Sequence, residues 1–262
     1  MAQAVTRRFH VPQLSTQPVV RLTGPEARHL AVVLRAGPGT RVELFDGQGQ
    51  RALGSVCAVG ADWVDCEILE RGVESAGAGG REVTLATAVP KGERFDWLIE
   101  KATELGVTRV IPLVTARSVV TPGDTKLERL RKTIVEASKQ CGRARLMELT
   151  DLRPWREFLA GWQTPSADPA HSATRAAAAP SAGTLWVAHP GGPRWGHAAV
   201  PSGPVTFVIG PEGGLTDAEV EQLSALGAGR VGLGGTILRV ETAALALATL
   251  ALCGTEGPVD LA

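Results

Sequence analysis

The chain has 262 residues, of which 44% are hydrophobic and 21% are charged, so it can build the core of one large domain or two modest ones. Its 27 basic and 27 acidic residues give a formal net charge of zero, which excludes a uniformly basic nucleic-acid-binding protein. No apolar run is long and uncharged enough for us to expect a membrane-spanning helix.

The first part of the chain, up to about residue 71, is predicted to consist of short β-strands with one helical insert. Apolar and β-branched residues mark strands at residues 19–22, 41–45, 52–59 and 63–69, with a helical segment at residues 26–34. Turn sequences rich in Gly and Asp separate the strands. We therefore expect a small β-barrel domain over residues 1–78, which ends in a glycine-rich join.

Positive charge is concentrated in this first part. Before residue 61 the chain carries seven arginines, no lysine and only three acidic residues. Arginine is the cation whose planar fork of donors matches phosphates and base edges. The distribution indicates a surface that binds nucleic acid, although a merely solvated surface is the alternative that charge alone leaves open.

From about residue 83 the pattern changes to alternating strands and helices. Strands are predicted at residues 83–89, 110–114, 185–190, 205–209 and 230–233, and helices at residues 95–105, 126–141 and 241–253. This alternation is typical of an α/β domain with a parallel sheet. Residues 164–183 are rich in Ala, Pro and Ser, and we expect them to form a mobile surface loop.

Two glycine-bearing loops are the most informative feature of the second part. Ile209-Gly210-Pro211-Glu212-Gly213-Gly214 ends a buried strand, and Thr216 with Glu219 has the spacing that starts a helix. A second strand leads into Leu233-Gly234-Gly235 and an apolar helix. Loops at the carboxyl ends of strands in an α/β sheet form ligand crevices. Gly227-x-Gly229-x-x-Gly232 fits a dinucleotide motif, but it follows a helix and enters a strand, which is the wrong context.

Longer motifs run through both parts of the chain. The loops read Ile-Gly-Pro-Glu-Gly-Gly from Ile209 and Leu-Gly-x-x-Ile-Leu-Arg-x-Glu-Thr-Ala from Leu233. Further motifs are Lys91-Gly92-Glu93-Arg94, residues 100–107, Arg117-Ser118, residues 136–143, Arg7-Arg8-Phe9 and residues 29–35. In this order they resemble the SPOUT superfamily of methyltransferases, and within it the RsmE group, which methylates uracil N3 in small-subunit ribosomal RNA. The resemblance covers nearly the whole chain apart from about residues 164–183.

The resemblance implies an α/β fold with a deep trefoil knot over residues 79–262, preceded by a PUA-like RNA-binding β-barrel. It implies a homodimer with sites near the subunit interface, S-adenosylmethionine as methyl donor and no metal. The expected reaction is methylation of uracil N3 in the decoding region of 16S ribosomal RNA. The alternatives are a related knotted enzyme that methylates ribose hydroxyls and a non-catalytic RNA-binding adaptor.

Two features of the sequence agree with that reading. The four cysteines are scattered, without a Cys-x-x-Cys pair, so no metal site is expected. No apolar targeting segment follows the charges at the amino end, so we expect the protein to be cytoplasmic.

The resemblance also assigns residues to the site. We expect the cofactor slot to be formed by Val187, His189, Ile209, Gly210, Pro211, Glu212, Gly213, Gly214, Leu233, Gly234, Ile237, Leu238, Thr242 and Ala243. RNA contacts are expected from Arg7, Arg8, His29, Arg35, Lys91 and Arg143. Uracil N3 carries a proton at neutral pH, so the reaction needs a base or a stabilising cation. The catalytic candidates are Arg239, Glu241, Glu100 and Arg117. The sequence leaves open which of them faces N3, and whether Glu241 only caps its helix.

Overall fold

The fold is taken from a computed structural model of the chain, which describes residues 7–14, 16–74, 81–163, 183–194 and 203–253. The chain divides into two compact units. The first comprises Met1–Ala78 with Val135–Leu146, and the second comprises Gly79–Ile134 with Met147–Ala262. Each unit is built around its own sheet.

The first unit is a β-barrel-like sheet of five strands. Its strands are β1 (Arg7–His10), β2 (Val19–Thr23), β3 (Arg41–Phe45), β4 (Gln50–Val59) and β5 (Trp63–Val73). They lie in the order β1-β3-β4-β5-β2, with β1 parallel to β3 and the other pairs antiparallel. Between β2 and β3 come the short helix α1 (Gly24–Arg28) and a π-helical turn (His29–Val33). Phe9, Leu22, Leu30 and Leu44 are among the buried residues of its core.

A segment from the middle of the chain, Val135–Leu146, belongs to this first unit. Leu146 donates its backbone N–H to the Gly47 carbonyl at 2.9 Å, and Gly49 donates to the Ala144 carbonyl at 3.2 Å. Lys139 forms an ion pair with Glu26. The division expected at residue 78 therefore leaves out a segment that packs with the barrel, because these contacts join residues about a hundred positions apart and no local pattern announces them.

The second unit is a parallel sheet of seven strands covered by helices. The strands are β6 (Val83–Ala88), β7 (Arg109–Val114), β8 (Glu148–Leu149), β9 (Arg153–Pro154), β10 (Thr184–Ala188), β11 (Val205–Ile209) and β12 (Gly229–Val231). The order is β12-β10-β11-β6-β7-β8, with β9 beside β7. The helices are α2 (Arg94–Leu105), α3 (Asp124–Cys141), α4 (Trp155–Gln163), α5 (Asp217–Ala225) and α6 (Val240–Cys253), and α3 passes into the first unit from Val135 onwards.

Strand β11 lies in the middle of this sheet, between β10 and β6. All five of its residues are buried, as expected for a central strand covered on both faces. The chain leaves the sheet at Gly210 and starts α5 with a capping box between Thr216 and Glu219, which confirms the helix start predicted there. The binding loops are therefore held between a buried strand and a capped helix.

Most of the predicted elements are present, with shifted ends. Residues 41–45 and 205–209 form strands with the predicted bounds, and Gly106 ends α2 in the left-handed conformation with φ of 99°. Strand β1, the short strands β8 and β9, and helix α4 were not predicted. The loop predicted at residues 164–183 lies outside the described residues except for Gly183. Within the described ranges, the helices are all too short or too polar to cross a lipid bilayer.

Candidate active site

The loops that follow β10 and β12 are joined through their backbones. His189 donates its N–H to the Val231 carbonyl at 2.9 Å, and Gly232 donates to the Pro193 carbonyl at 2.8 Å. A Cβ atom on Gly232 would lie 2.5 Å from the Gly192 carbonyl oxygen, so a larger residue cannot stand there without moving the chain. The carboxyl ends of these two strands form one rigid edge.

The loop after β11 is a tight turn with its backbone exposed. Gly214 donates its N–H to the Pro211 carbonyl at 2.8 Å, and its φ of 71° is one that glycine adopts without strain. Arg117 Nη1 donates to the Gly213 carbonyl at 2.8 Å. A Cβ atom on Gly213 would meet only the Arg117 side chain, at an ordinary 3.5 Å. The loop therefore presents main-chain groups to a ligand while Arg117 holds its shape.

The side chain of Glu219 holds the loop after β11 in place. The residue is only 5% exposed, and its Oε1 accepts the Ala116 N–H at 2.8 Å. Its Oε2 accepts the Thr216 N–H at 2.8 Å. One buried carboxylate thus joins the turn after β7 to the start of the helix that follows the β11 loop.

The second glycine loop, after β12, borders open space. A Cβ atom on either Gly234 or Gly235 would meet nothing within 4 Å. Ile237 is 89% exposed, which is unusual for a branched apolar side chain. Ala243 donates its N–H to the Arg239 carbonyl at 2.9 Å as α6 begins. The loop leaves room beside its backbone for a ligand.

Arg94, at the start of α2, lies between the first glycine loop and the start of α6. Its Nη1 lies 3.8 Å from Glu212 Oε1, and its Nε lies 3.9 Å from Glu241 Oε1. Both distances exceed a hydrogen bond, so the guanidinium sits between the carboxylates without saturating either. Glu241 Oε2 is buried and has no hydrogen-bond partner within the part of the chain that the structure describes. A buried carboxylate oxygen without a donor is costly, so this one is prepared for a donor from a ligand.

A cavity of about 530 Å³ opens at the amino ends of α2 and α6. It is lined by Arg94, Trp97, Ile237, Leu238, Arg239, Glu241 and Thr242. The volume is in the range of small-molecule sites. Its walls combine apolar surface with charges of both signs, and two helix amino ends add positive potential to it.

The residues present fit a sulfonium nucleoside such as S-adenosylmethionine. The glycine backbones at Gly213 and Gly234 leave space where side chains would otherwise stand, so main-chain groups can reach an adenine ring. The unsatisfied Glu241 oxygen lies in the neighbouring cavity wall. No cluster of three or more His, Cys, Asp or Glu side chains arranged to hold a metal occurs in the described ranges.

Several of the predicted cofactor and catalytic residues fall into three groups. Val187 and Ile209 are buried strand residues that support the loops from the core. Leu238, Arg239, Glu241 and Thr242 line the cavity together with Ile237. Glu100 is not brought to it: its carboxylate pairs with Lys101 at 2.8 Å on the partly exposed side of α2. Glu100 is therefore found in a surface ion pair, and its catalytic role stays a prediction that the geometry of the cavity does not support.

The residues predicted to contact RNA differ in their exposure to solvent. Arg7, His29, Arg35 and Lys91 are exposed, and Arg35 adopts a φ of 51° that is rare for a residue with a side chain. Such backbone strain is found most often at functional sites. Arg143 is half-buried, and this burial lowers the pKa of its guanidinium from the usual value.

Arg8 requires a correction. Only 8% of its side chain is exposed, and Nη2 lies 3.3 Å from Glu43. Its Nη1 donates to the Ser138 carbonyl at 2.7 Å, and its guanidinium covers the Phe45 ring at 4.8 Å. These contacts use the guanidinium for the protein itself. Arg8 binds the end of α3 within the first unit, a structural role in place of the predicted RNA contact.

Two residues of the cavity were not among the predicted site residues. Arg94 stands in the Lys91-Gly92-Glu93-Arg94 motif, which the sequence offered only as part of a resemblance. Trp97 lies off the buried stripe of α2, which contains Phe95 and Leu98. A large aromatic side chain on the otherwise polar face of a helix was the available signal.

Comparisons with known proteins agree with this architecture. A family model described as an RNA methyltransferase domain matches residues 79–252, and one described as an RNA methyltransferase PUA domain matches residues 22–69. A ribosomal RNA small subunit methyltransferase E of Bacillus subtilis is 32% identical over 243 residues, covering 89% of each chain. Its counterpart from Mycobacterium bovis is 31% identical over 246 residues, covering 92% of this chain and 88% of the relative.

A solved structure shows the same similarity to ribosomal RNA methyltransferases. The crystal structure of a ribosomal RNA small subunit methyltransferase E from Neisseria gonorrhoeae, bound to S-adenosyl methionine, superposes with a TM-score of 0.76 at 30% identity, covering 93% of this chain and 95% of that one. The predicted fold class, a SPOUT α/β domain preceded by a PUA-like barrel, is confirmed. The chain belongs to the ribosomal RNA small subunit methyltransferase E family of RNA methyltransferases.

Proposed function

We propose that this protein transfers a methyl group from S-adenosylmethionine to N3 of a uridine in the decoding region of 16S ribosomal RNA. The observation that carries the proposal is the pair of glycine loops beside a cavity in which Arg94 lies between Glu212 and the buried, unsatisfied carboxylate of Glu241. Relatives and a solved neighbour named for ribosomal RNA methylation support the choice of substrate class.

The chemistry assigns work to the cavity residues. Bound S-adenosylmethionine supplies an activated methyl group on sulfur. N3 must lose its proton before it can form the new N–C bond, while the C–S bond breaks and the electron pair stays on sulfur. Glu241 is our candidate to take that proton, because its Oε2 has no donor. Arg94 and Arg239 line the same cavity and can stabilise the negative charge that spreads onto O2 and O4.

Other predicted residues hold the geometry of this site. Arg117 donates to the Gly213 carbonyl, so we assign it to shaping the cofactor loop. The exposed Arg7, His29 and Arg35 are assigned to docking the RNA on the barrel unit, with Lys91 as a further contact on the second unit. Since the proposed substrate is ribosomal RNA, we place the reaction in the cytoplasm.

We propose that the active form is a homodimer. Helix α6 is apolar around nearly its whole circumference, and a helix of this kind is normally covered on all sides. Yet Leu250 on α6 and Leu105 on α2 are 38% and 37% exposed in the single chain. A two-fold contact through this face would bury both. Sedimentation analysis should give twice the chain mass for the wild type, and Leu250→Glu should shift the protein towards the monomer.

The proposed reaction can be tested with unmodified 16S ribosomal RNA, either free or in small subunits. The RNA is incubated with the protein and a methyl donor labelled in its methyl group, digested to nucleosides, and examined by mass spectrometry. Label in 3-methyluridine is the expected result. Label in a ribose-methylated nucleoside would favour the related knotted enzyme. Absence of transfer in both substrates would favour a binding adaptor and overturn the proposal.

A further inference from the structure

The cavity at the ends of α2 and α6 has an unusual combination of walls. Trp97 is 48% exposed and Ile237 is 89% exposed, so two large apolar surfaces face solvent in one cavity. Beside them lie Arg94, Arg239 and the carboxylate of Glu241. Apolar surface next to a few convergent polar groups is the pattern of a site for a flat, polar-edged molecule.

A pyrimidine base has matching chemistry. Proteins that act on unstacked bases hold the ring against aromatic or apolar side chains and read its Watson–Crick edge by hydrogen bonds. The uracil edge presents an acceptor, a donor and an acceptor at O4, N3–H and O2. The cavity offers the complement, because guanidinium groups only donate and an ionised carboxylate only accepts.

The polar groups of the cavity are left available for such an edge. Arg94 stands 3.8 Å and 3.9 Å from its two carboxylates, beyond hydrogen-bond distance. Only 8% of the Glu241 side chain is exposed, and its Oε2 has no hydrogen-bond partner among the described residues. A donor arriving from a ligand would satisfy that oxygen, and a ligand carbonyl could accept from Arg94 without breaking a short ion pair.

We propose that Trp97 and Arg94 bind the target uracil, Trp97 as the stacking surface and Arg94 as the donor to one of its carbonyl oxygens. Glu241 accepts from N3–H in this arrangement. The inference rests on the proposed function and adds the residues that select the base. Cytosine has an unprotonated N3, so it would set an acceptor against Glu241, and its N4 amine would also set a donor against Arg94 where Arg94 binds position 4. The site therefore selects uracil over cytosine.

The first experiment separates the base from the methyl donor as the occupant of the cavity. Trp97→Ala and Trp97→Phe are compared with wild type for kcat/KM on 16S ribosomal RNA and for binding of S-adenosylhomocysteine by calorimetry. Stacking on an aromatic ring supports roughly a tenfold to hundredfold effect for the Ala variant. The Phe variant should retain activity within about threefold, since it keeps a flat ring.

Two outcomes of this experiment overturn the inference. One is a Trp97→Ala enzyme that methylates as well as wild type. The other is a Trp97→Ala enzyme whose affinity for S-adenosylhomocysteine falls in parallel with its activity, because the cavity would then hold the donor. Unchanged cofactor binding with lost activity is the supporting result, and it also shows that the variant is folded.

The second experiment measures binding of the base directly, without methyl transfer. Tryptophan fluorescence is followed while uridine or cytidine monophosphate is added at millimolar concentration to the protein saturated with S-adenosylhomocysteine. Quenching should be stronger with the uridine nucleotide and should disappear in Trp97→Phe. Trp63→Phe is the matched control, since Trp63 is a partly exposed ring of the barrel unit that stacks under Arg21. Equal quenching by both nucleotides, or quenching that survives in Trp97→Phe, contradicts the inference.

Two substitutions of Arg94 test the contributions of its positive charge and of its planar guanidinium separately. Arg94→Gln removes the cation and Arg94→Lys keeps it without the fork. Both should raise KM for RNA or lower kcat by roughly tenfold, with Gln the more severe, and Gln should reduce the preference for the uridine nucleotide. If wild type methylates ribosomal RNA but these variants match it, only the base-binding inference fails. If wild type transfers no methyl group at all, the proposed function fails first.

Discussion

Two arginines, one in each unit, are held by carboxylates in opposite ways. In the barrel, Arg21 donates from Nε and Nη2 to the two oxygens of Asp65 at 2.7 Å and 2.8 Å. In the second unit, Arg94 lies 3.8 Å and 3.9 Å from Glu212 and Glu241. The first pair is complete in the protein alone. The second leaves donors and an acceptor oxygen over beside a cavity, which supports the ligand site proposed there.

The largest effect is expected when the unsatisfied charge of Glu241, beside Arg94, is removed. Glu241→Gln keeps the size of the side chain but cannot take a proton, so methyl transfer should fall by about a hundredfold or more. Thermal stability should stay the same or rise, because a buried charge without a close partner is lost. Single-turnover transfer and calorimetric melting measure the two. A variant with full activity would remove Glu241 from the reaction.

Glycine positions of the cofactor loop provide the next test. Gly213→Val places a side chain where the exposed backbone should meet the donor, at an ordinary distance from Arg117 in the free protein. Binding of S-adenosylmethionine should weaken roughly tenfold or more, equivalent to about 1.4 kcal/mol, without loss of fold. Gly123→Val is the matched control, because a Cβ atom there meets nothing within 4 Å. If the two variants bind S-adenosylmethionine with equal affinity, the predicted position of the cofactor slot at Gly213 is wrong.

The barrel arginines give a contrast in stability. Arg8→Ala leaves Glu43 and the Ser138 carbonyl without their donor, and the loss from such a buried site is about 3 kcal/mol of unfolding free energy. Arg21→Ala should have little effect, since its ion pair with Asp65 lies at the surface. Urea titration followed by circular dichroism compares the variants. Equal destabilisation by both would contradict the distinction between the buried and the exposed pair.

The smallest expected effect concerns a thiol. Burial raises the pKa of Cys66 to about 12, so at pH 8 iodoacetamide should alkylate the exposed Cys57 while leaving Cys66 unmodified until the barrel unfolds. The unfolded thiol ionises near its usual pKa of 9.0, so this group's contribution to stability is complete below that pH and is lost as the pH rises towards 12. Peptide mass spectrometry resolves the two cysteines.

The sequence predicted those features that rest on local patterns. The capping pair Thr216 and Glu219 and the buried strand at residues 205–209 are determined by neighbouring residues, and both are confirmed. Strand β1 is only four residues long and begins with two arginines, so its period could not be recognised. The burial of Arg8 depends on Ser138, which lies 130 positions away, and no spacing rule reports such a partner.

In the candidate site, too, the sequence predicted local features but not the contacts between distant residues. The glycine loops were predicted because glycine and proline mark turns wherever they occur. Arg94 and Trp97 escaped because their importance comes from α6, which begins at Val240 and brings Glu241 beside α2 only after folding. Glu100 was predicted as a site residue on the same helix, and it lies outside the cavity lining, in an ion pair with Lys101. Helix spacing specifies a face, whereas the identity of the neighbour comes from the tertiary fold.

The assignment of Val135–Leu146 to the barrel unit has a consequence for biosynthesis and for the expression of gene fragments. A nascent chain that has emerged only to residue 78 holds all five barrel strands but not the carbonyl that Arg8 binds or the backbone that pairs with Gly47. Translation must continue for almost seventy more codons before those groups are matched. A gene fragment cut at the apparent domain boundary would therefore encode a barrel in which Arg8 keeps Glu43 but lacks the Ser138 carbonyl, and such a fragment should be expressed as an aggregate or a loosely folded protein.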